Sequence, residues 1–98
     1  MTYQIEYTES AIDDIAYFKK YERGLIVTAI EEQLTYEPIR EVRNRKPMGA
    51  NALARWEVRV GKYRIFYDVE VLDRVVLIKA VGWKAHNTLY IRGKEYPL

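Results

Sequence analysis

Alternating polar and apolar residues on both sides of Gly61-Lys62 constrain the fold more than any other feature of the chain. Residues 54–60 and 63–70 each follow the period-two spacing of a half-buried strand. Glycine at the first position of a two-residue connection is typical of a β-hairpin. The sequence therefore predicts a hairpin in which Val60 pairs with Tyr63 and Arg59 lies opposite Arg64.

This register sorts the side chains of the hairpin onto two faces. The apolar face carries Trp56, Val58, Val60, Tyr63, Ile65 and Tyr67. The opposite face carries Arg55, Glu57, Arg59, Arg64, Phe66 and Asp68. Because burial stabilises apolar surface by roughly 25 cal/mol per Å², we expect helices to cover the first face and leave the charged face open.

A strand and two helices are predicted before the hairpin. Residues 3–7 alternate as a strand, and Thr8 is a suitable N-cap for an amphipathic helix that ends near Lys20. After a break at residues 21–24, a second apolar stripe at helical spacing runs through residues 26–34, and Pro38 prevents its continuation. Residues 37–53 lack periodicity and are predicted to form an arginine-rich surface loop.

A third alternating run, residues 74–82, follows the hairpin through a turn at Leu72-Asp73. The order of elements predicts an α+β fold, with an N-terminal strand and two helices packed on one face of a mostly antiparallel four-stranded sheet. At 98 residues the chain is long enough for one hydrophobic core, so residues 1–98 are expected to form a single domain.

Charge is unevenly distributed along the chain, although the net charge is only +2. Residues 1–37 hold eight acidic and three basic residues, whereas residues 40–64 hold eight basic and two acidic ones. Such clustering is typical of phosphate-binding surfaces, of surfaces that bind acidic proteins, and of plain solvated faces. The chain has no cysteine and no apolar stretch of membrane-spanning length, which favours a cytoplasmic protein without disulfides.

The charged face of the hairpin has two interpretations. Facing arginines repel each other, and either a bound phosphate between them or the nearby Glu57 would offset that repulsion. With Leu72-Asp73 as the second turn, Lys79 lies opposite Phe66. An aromatic ring among cations is suited to stacking on an RNA base, and it is equally suited to capping the sheet.

Two segments resemble the RelE/ParE toxin superfamily. Residues 56–69 (WEVRVGKYRIFYDV) are similar to the central hairpin of that superfamily, and residues 81–90 (VGWKAHNTLY) are similar to its closing segment. With the order of elements, the resemblance covers almost the whole chain. It implies the toxin of a type II toxin–antitoxin system, either a ribosome-dependent endoribonuclease that cleaves messenger RNA or an inhibitor of DNA gyrase; a catalytically inactive homologue that binds an antitoxin is a third alternative.

For the endoribonuclease, our leading hypothesis, the resemblance implies a set of site residues. Arg64 matches the arginine that contacts the scissile phosphate, Lys84 a second cationic position, and His86 and Tyr90 positions for acid–base chemistry or base packing. Glu57 stands where lysines are common, so it is either a general base or a counter-charge. The residues expected to bind RNA are Arg43, Arg45, Lys46, Arg55, Arg59, Phe66 and Lys79.

The expected partners are a cognate antitoxin and messenger RNA on the ribosome. The antitoxin is expected to cover the cationic face or to lay a helix along the helices of the toxin. Asp13 and Asp14 in the first helix are interpreted as solvated surface. The sequence has no glycine-rich phosphate loop, no HExxH pair and no acidic cluster for magnesium, so neither cofactor nor metal is expected.

Overall fold

The structure, a computed structural model, describes residues 1–51 and 53–97. Within these residues the chain forms two helices and seven strands. In order they are β1 (Gln4–Tyr7), α1 (Glu9–Ala16), α2 (Lys20–Leu34), β2 (Arg45–Pro47), β3 (Trp56–Val60), β4 (Tyr63–Glu70), β5 (Val75–Ala85), β6 (Thr88–Ile91) and β7 (Lys94–Glu95).

The predicted α+β arrangement is confirmed, and short strands extend it. The four expected strands lie in the order β3-β4-β5-β1, in which only β1 runs parallel to its neighbour. Three short strands add to this sheet, β2 beside β3 and the β6–β7 hairpin beside the far end of β5. The short β2 lies in the segment that we expected to be a loop, where it pairs Arg45–Pro47 with β3.

A hydrophobic core fills the space between the helices and one face of the sheet. The apolar side chains of β3 and β4 pack there against Ala11, Ile15, Ile26 and Ile30 of the helices, as the alternation predicted. A second, smaller core lies on the opposite face of the sheet. It consists of Ala54, Phe66, Ala80 and Leu89, with Met48, Leu53, Ile91 and Tyr96 packed against them.

The boundary between the two helices differs from the prediction, whereas the start of α1 and the end of α2 agree with it. Thr8 caps α1 as expected, since its side chain accepts a hydrogen bond from the backbone N–H of Ala11 at 3.0 Å. However, α1 ends at Ala16 and α2 already begins at Lys20, so the predicted break at residues 21–24 lies inside α2. The turn between the helices buries Phe18 edge-to-face against Tyr63, with ring centroids 5.5 Å apart. Tertiary packing of this ring, rather than helix propensity, sets the boundary.

Asp14 closes a gap along the edge of β5. Strand β1 pairs with residues 75–78 of β5, and β6 pairs with residues 83–85. Between these segments, Asp14 Oδ2 accepts a hydrogen bond from the backbone N–H of Val81 at 3.0 Å, and Asp14 Oδ1 lies 2.9 Å from Nε of Arg92. The Asp14 side chain is almost fully buried, so our interpretation of it as solvated surface is wrong.

A second buried carboxylate ties α2 to the β3–β4 hairpin. Glu22 Oε2 accepts a hydrogen bond from the Tyr63 hydroxyl at 2.6 Å and lies 3.5 Å from Nζ of Lys62. The bond from Tyr63 lowers the pKa of Glu22 below its ordinary value. Burial, together with the same carboxylate, raises the pKa of Tyr63 to about 12. The pair therefore favours an ionised Glu22 and a neutral Tyr63 at neutral pH.

The lowered pKa of Glu22 predicts acid sensitivity. A carboxyl with a lower pKa in the folded state stabilises the fold above its unfolded pKa, and this contribution is lost as the pH falls through the folded value. We expect the urea midpoint of the wild-type protein to fall more between about pH 7 and pH 3 than that of Glu22→Gln. Glu32→Gln, an exposed change on the same helix, should retain the wild-type pH dependence. An equal fall in the urea midpoint for Glu22→Gln and wild type would contradict the lowered pKa of Glu22.

Candidate nucleic-acid interface

The β3–β4 hairpin has the predicted register. Gly61 adopts the left-handed conformation (φ 57°) in the turn, Val60 pairs with Tyr63, and Arg59 pairs with Arg64. Directly opposed residues of an antiparallel pair project to the same side of the sheet. Since Tyr63 and Val58 pack under the helices, both arginines lie on the face that is turned away from α1 and α2.

Arg64 is the most constrained cation on this face. Its side chain is half-buried, and Nη1 donates to the carbonyl oxygens of Gly61 at 2.8 Å and Tyr63 at 3.0 Å. Its Nε is buried without a hydrogen-bond partner. Burial lowers the pKa of Arg64 and the positive charge of Arg59 lowers it further, while Glu57 acts in the opposite direction. An anion placed at this guanidinium would supply both a hydrogen-bond acceptor and a compensating charge.

The hydrogen bond to Gly61 directs the Arg64 guanidinium toward the tip of the hairpin. Lys84 of β5 lies at the same tip, because its backbone N–H donates to the carbonyl oxygen of Lys62 at 2.9 Å. Lys84 pairs with Leu89, a member of the smaller core, so its side chain projects to the same face as Arg64. His86 follows two residues later in an exposed turn with Asn87, both with positive φ. Arg64 and Lys84 therefore lie on the same face at the tip of the hairpin, and His86 lies in the turn that follows Lys84.

Arg59 is exposed and is held by the chain that precedes β2. Its Nη2 donates to the carbonyl oxygen of Arg43 at 2.8 Å, and its backbone N–H donates to the carbonyl oxygen of Asn44 at 2.7 Å. The side chain of Arg43 is exposed nearby. Lys46 is also exposed and pairs with Glu57, which places it on the charged face as well. Arg43, Lys46 and Arg59 therefore widen the cationic surface.

Arg45 differs from its predicted position. It pairs with Val58, so it projects to the helix side of the sheet, where its side chain is buried. Nη1 donates to the carbonyl oxygens of Glu37 at 2.6 Å and Arg40 at 3.4 Å. The guanidinium therefore anchors the segment that follows α2, and the expectation that Arg45 lies at an RNA-binding surface does not agree with the structure.

Phe66 lies on the predicted face but is fully buried. The smaller core covers it with Ala54, Ala80 and Leu89, contributed by parts of the chain distant in sequence. No part of the ring is accessible for stacking on a base, so the exposed ring that we expected is absent and the capping alternative agrees with the structure. Glu57, which pairs with Phe66, is only 3% exposed.

Lys79 and Arg55 lie on the charged face, at a distance from its tip. The second hairpin turn is at Leu72-Asp73 as predicted, but a β-bulge at Phe66/Tyr67 places Ala80 rather than Lys79 opposite Phe66. Lys79 Nζ lies 3.7 Å from Oδ2 of Asp68. Asp68 Oδ1 also accepts the backbone N–H of exposed Arg55 at 2.8 Å. Asp68 thus offsets much of the positive charge in this region.

Tyr90 lies on the other face of the sheet. It pairs with Trp83 on β5 and stacks on the indole, with ring centroids 5.6 Å apart. Trp83 also stacks on Tyr17 and packs against the main core. The structure therefore does not bring Tyr90 together with Arg64, contrary to our expectation. Gly82 permits the close approach of the Tyr90 backbone to β5, since a Cβ at Gly82 would collide with the carbonyl oxygen of Tyr90.

Comparisons with solved structures place the fold. A chain of the toxin–antitoxin complex RelBE2 of Mycobacterium tuberculosis superposes with a TM-score of 0.74 at 23% identity, covering 86% of this chain and 100% of that one. A chain of the archaeal RelE–RelB complex of Pyrococcus horikoshii gives 0.60 at 26% identity over 88% and 99%. One from the intact Escherichia coli RelBE toxin–antitoxin complex gives 0.54 at 16% identity over 86% and 99%.

The chain has a RelE-like toxin fold. No protein-family profile matches the sequence. No curated protein sequence matches it either. The fold that the two sequence segments implied is therefore established by three-dimensional similarity. In this RelE-like fold the charged face of β3, β4 and β5 lies opposite the helix-covered face.

The described part of the chain contains neither a cluster of metal-ligating side chains nor a membrane-spanning helix. Among residues 1–51 and 53–97 of this RelE-like fold, no three histidine, aspartate or glutamate side chains come close enough to hold a metal ion. In the same residues, neither helix is long and apolar enough to cross a membrane.

Proposed function

We propose that this chain is the toxin of a type II toxin–antitoxin pair and that it cleaves messenger RNA on the ribosome without a metal ion. The fold supports the first part, because two of the similar structures described above are toxin–antitoxin complexes and another is a RelE–RelB complex. The single observation that supports the second part is the Arg64 guanidinium, which is half-buried and fixed by the carbonyl oxygens of Gly61 and Tyr63 on an open cationic face. A phosphodiester group supplies the negative charge that such a fixed guanidinium would bind.

The proposed reaction begins when the ribose 2′-hydroxyl attacks the adjacent phosphorus. The O2′–P bond forms, the P–O5′ bond breaks, and the products are a 2′,3′-cyclic phosphate and a 5′-hydroxyl. Negative charge develops on the non-bridging phosphate oxygens in the transition state, and fixed cations lower its energy. Arg64 and Lys84 supply these cations at the tip of the hairpin, and Arg59 raises the local positive potential.

The reaction requires two proton transfers: the 2′-hydroxyl loses a proton as the O2′–P bond forms, and the leaving O5′ gains one. Water at the exposed tip accepts the first proton, and the exposed imidazole of His86 donates the second. Glu57 is nearly excluded from solvent between Lys46 and Phe66 in the sheet. Its burial favours a role as counter-charge that stabilises Lys46 and Arg64 over a role as general base. Tyr90 has no part in the proposed reaction because of its position under the sheet.

The antitoxin is the proposed protein partner, and the helices offer a surface for it. An apolar groove of about 650 Å³ runs between α2 and the β3–β4 turn. Tyr21 and Leu25 line this groove with side chains 68% and 55% exposed. Exposed apolar residues in a groove are typical of a site that receives an amphipathic helix. This supports the alternative in which the antitoxin lays a helix along the toxin.

Inducible expression in a bacterial host tests the proposed activity. We expect growth arrest, a rapid decline in protein synthesis, and messenger RNA fragments with 5′-hydroxyl ends inside coding regions, mapped by primer extension. Arrest with DNA damage and filamentation, while protein synthesis continues, would instead identify a gyrase inhibitor. Absence of arrest would identify an inactive homologue, which is the outcome that contradicts both toxic activities.

A further inference from the structure

A cavity of about 530 Å³ lies between α1 and the C-terminal strands, apart from the tip that carries Arg64. Its walls come from four parts of the chain: Ser10 and Asp14 of α1, residues 79–80 of β5, Leu53, and residues 91–96. Two of these parts, residues 91–96 and Leu53, were not assigned any function from the sequence. The volume is within the range of roughly 300–1,000 Å³ that small-molecule sites occupy.

The lining combines cations with an apolar wall. Three cations, Lys79, Arg92 and Lys94, outnumber the two carboxylates of the lining, Asp14 and Glu95. Lys79 lies 3.7 Å from Asp68, so Lys94 is the cation of this set without a carboxylate within 4 Å among the described residues. Apolar surface comes from Leu53, Ala80, Ile91 and Tyr96. Arg92 contacts Asp14 through Nε, at 2.9 Å from Oδ1. A guanidinium carries additional N–H donors on its two Nη atoms. An anionic group and a flat, largely apolar group can therefore bind side by side.

The cavity is built from fixed elements. Asp14 is 1% exposed and is held by the backbone N–H of Val81 at 3.0 Å. Arg92 adopts a positive φ of 50°, a conformation that is uncommon for residues other than glycine. The backbone N–H of Tyr96 donates to the carbonyl oxygen of Leu89 at 2.8 Å, which holds the last strand against the smaller core. The positive φ values of Arg92 and Gly93 belong to the two-residue turn between β6 and β7, and this turn fixes the backbone at one side of the cavity.

The cavity lies close to the proposed cleavage site. A smaller depression of about 210 Å³, lined by Lys84 and Thr88, shares Glu95 and Tyr96 with the cavity. Along β5, Ala80 in the cavity wall is two residues from Gly82, the partner of Arg64, which corresponds to about 7 Å. An RNA strand that contacts Lys84 would therefore reach the cavity within a few nucleotides.

We propose that this cavity binds a single nucleotide, with its phosphate at Lys79, Arg92 and Lys94 and its base against Leu53, Ile91 and Tyr96. The ligand class is a ribonucleoside monophosphate, free or as one unit of an RNA strand. The assignment of the nucleotide to RNA next to the cleavage site rests on the proposed function. Binding of the nucleotide itself does not.

Titration of the purified full-length protein with ribonucleoside monophosphates, followed by NMR chemical shifts, tests the proposal. AMP, GMP, CMP and UMP are compared with adenosine and with inorganic phosphate at equal ionic strength. We expect saturable binding of at least one monophosphate in the millimolar range or tighter, with shifts at Lys79, Ile91, Arg92 and Lys94. Adenosine and inorganic phosphate should each bind more weakly, since each makes only part of the contacts.

Lys94→Ala provides the test variant and Lys20→Ala the control. Both lysines are exposed, but Lys20 lies at the start of α2 and does not line the cavity. Lys94→Ala should weaken nucleotide binding on the order of tenfold through loss of one charge-assisted contact, whereas Lys20→Ala should not change it. The absence of nucleotide binding, an inorganic phosphate affinity equal to that of the nucleotides, or equal effects of the two variants would each overturn the proposal.

The outcome separates this proposal from the proposed function. Nucleotide binding at the cavity in a protein that does not cleave messenger RNA would leave the nucleotide site intact and overturn the RNA-cleaving activity. Cleavage of messenger RNA by a protein whose cavity binds no nucleotide would support the RNA-cleaving activity and overturn the nucleotide site. A shift in the cleavage positions of Lys94→Ala, relative to those of Lys20→Ala, would further support contact between the cavity and the RNA strand.

Discussion

Arg64→Ala is expected to lower the rate of messenger RNA cleavage at least about 100-fold, because removal of one preformed donor to a developing oxyanion typically costs that much. The variant should no longer arrest growth, and primer extension should detect no induced 5′-hydroxyl ends. The fold should be retained, since Arg64 lies opposite Arg59 and makes its hydrogen bonds only to the adjoining turn. Its far-ultraviolet circular dichroism should match that of the wild type.

The matched control for this prediction is Arg23→Ala. Arg23 is an exposed arginine of α2, on the opposite side of the sheet from the charged face. Arg23→Ala removes one positive charge, as Arg64→Ala does, so any general effect of net charge on RNA binding appears in both variants. Full toxicity of Arg64→Ala would show that the phosphate contact has been assigned to the wrong residue. Equal attenuation by Arg23→Ala would show that net charge, rather than position, determines activity.

Asp14→Ala is expected to have the largest effect on stability, a loss of roughly 3 kcal/mol in the free energy of unfolding. The substitution leaves the backbone N–H of Val81 buried without an acceptor and removes the partner of Arg92. Burial raises the pKa of Asp14, while the Val81 N–H and Arg92 act in the opposite direction. Urea denaturation at neutral pH, monitored by circular dichroism, measures the loss.

Asp13→Ala is the matched control for Asp14→Ala. The two residues are neighbours of the same type on α1, and Asp13 is exposed. Its replacement should change the free energy of unfolding by less than about 0.5 kcal/mol, as is usual for surface positions. A similar small loss for Asp14→Ala would contradict the role of its carboxylate in closing the edge of β5.

The central hairpin could be predicted from the sequence because its information is local. Period-two alternation and Gly61 together define the register, and the pairing of Arg59 with Arg64 follows by counting. For β4 and β5, counting outward from Leu72-Asp73 gives the correct pairs as far as Tyr67 with Ile78 and fails from Phe66 onward. The cause is the bulge at Phe66/Tyr67, which adds one residue to β5 and leaves no sign in the sequence. Local patterns therefore predicted the face on which Lys79 lies but not the residue opposite it.

Features that depend on distant segments could not be predicted. Phe66 is correctly assigned to the charged face, yet Leu53, Leu89 and Ile91 cover it, and nothing near Phe66 in the sequence indicates this. Helical spacing from Ala11 and Phe18 places Asp14, and not Asp13, on the buried side of α1. The acceptor role of Asp14 depends on the backbone N–H of Val81, a distant part of the chain. The β6–β7 turn did carry a signal, because Gly93 is the residue type favoured at the second position of a two-residue hairpin turn, where its φ is positive.

The parallel pairing of β1 with β5 has a consequence for synthesis of the chain. Residues 4–7 pair with residues 75–78, about seventy positions later, so the sheet cannot close until β5 has been translated. Contacts between segments so distant in sequence slow folding, because the intervening loop loses entropy before the contact forms. Arg64 and Lys84 likewise meet only after β5 is present. A nascent chain interrupted before β5 therefore lacks the assembled cationic tip.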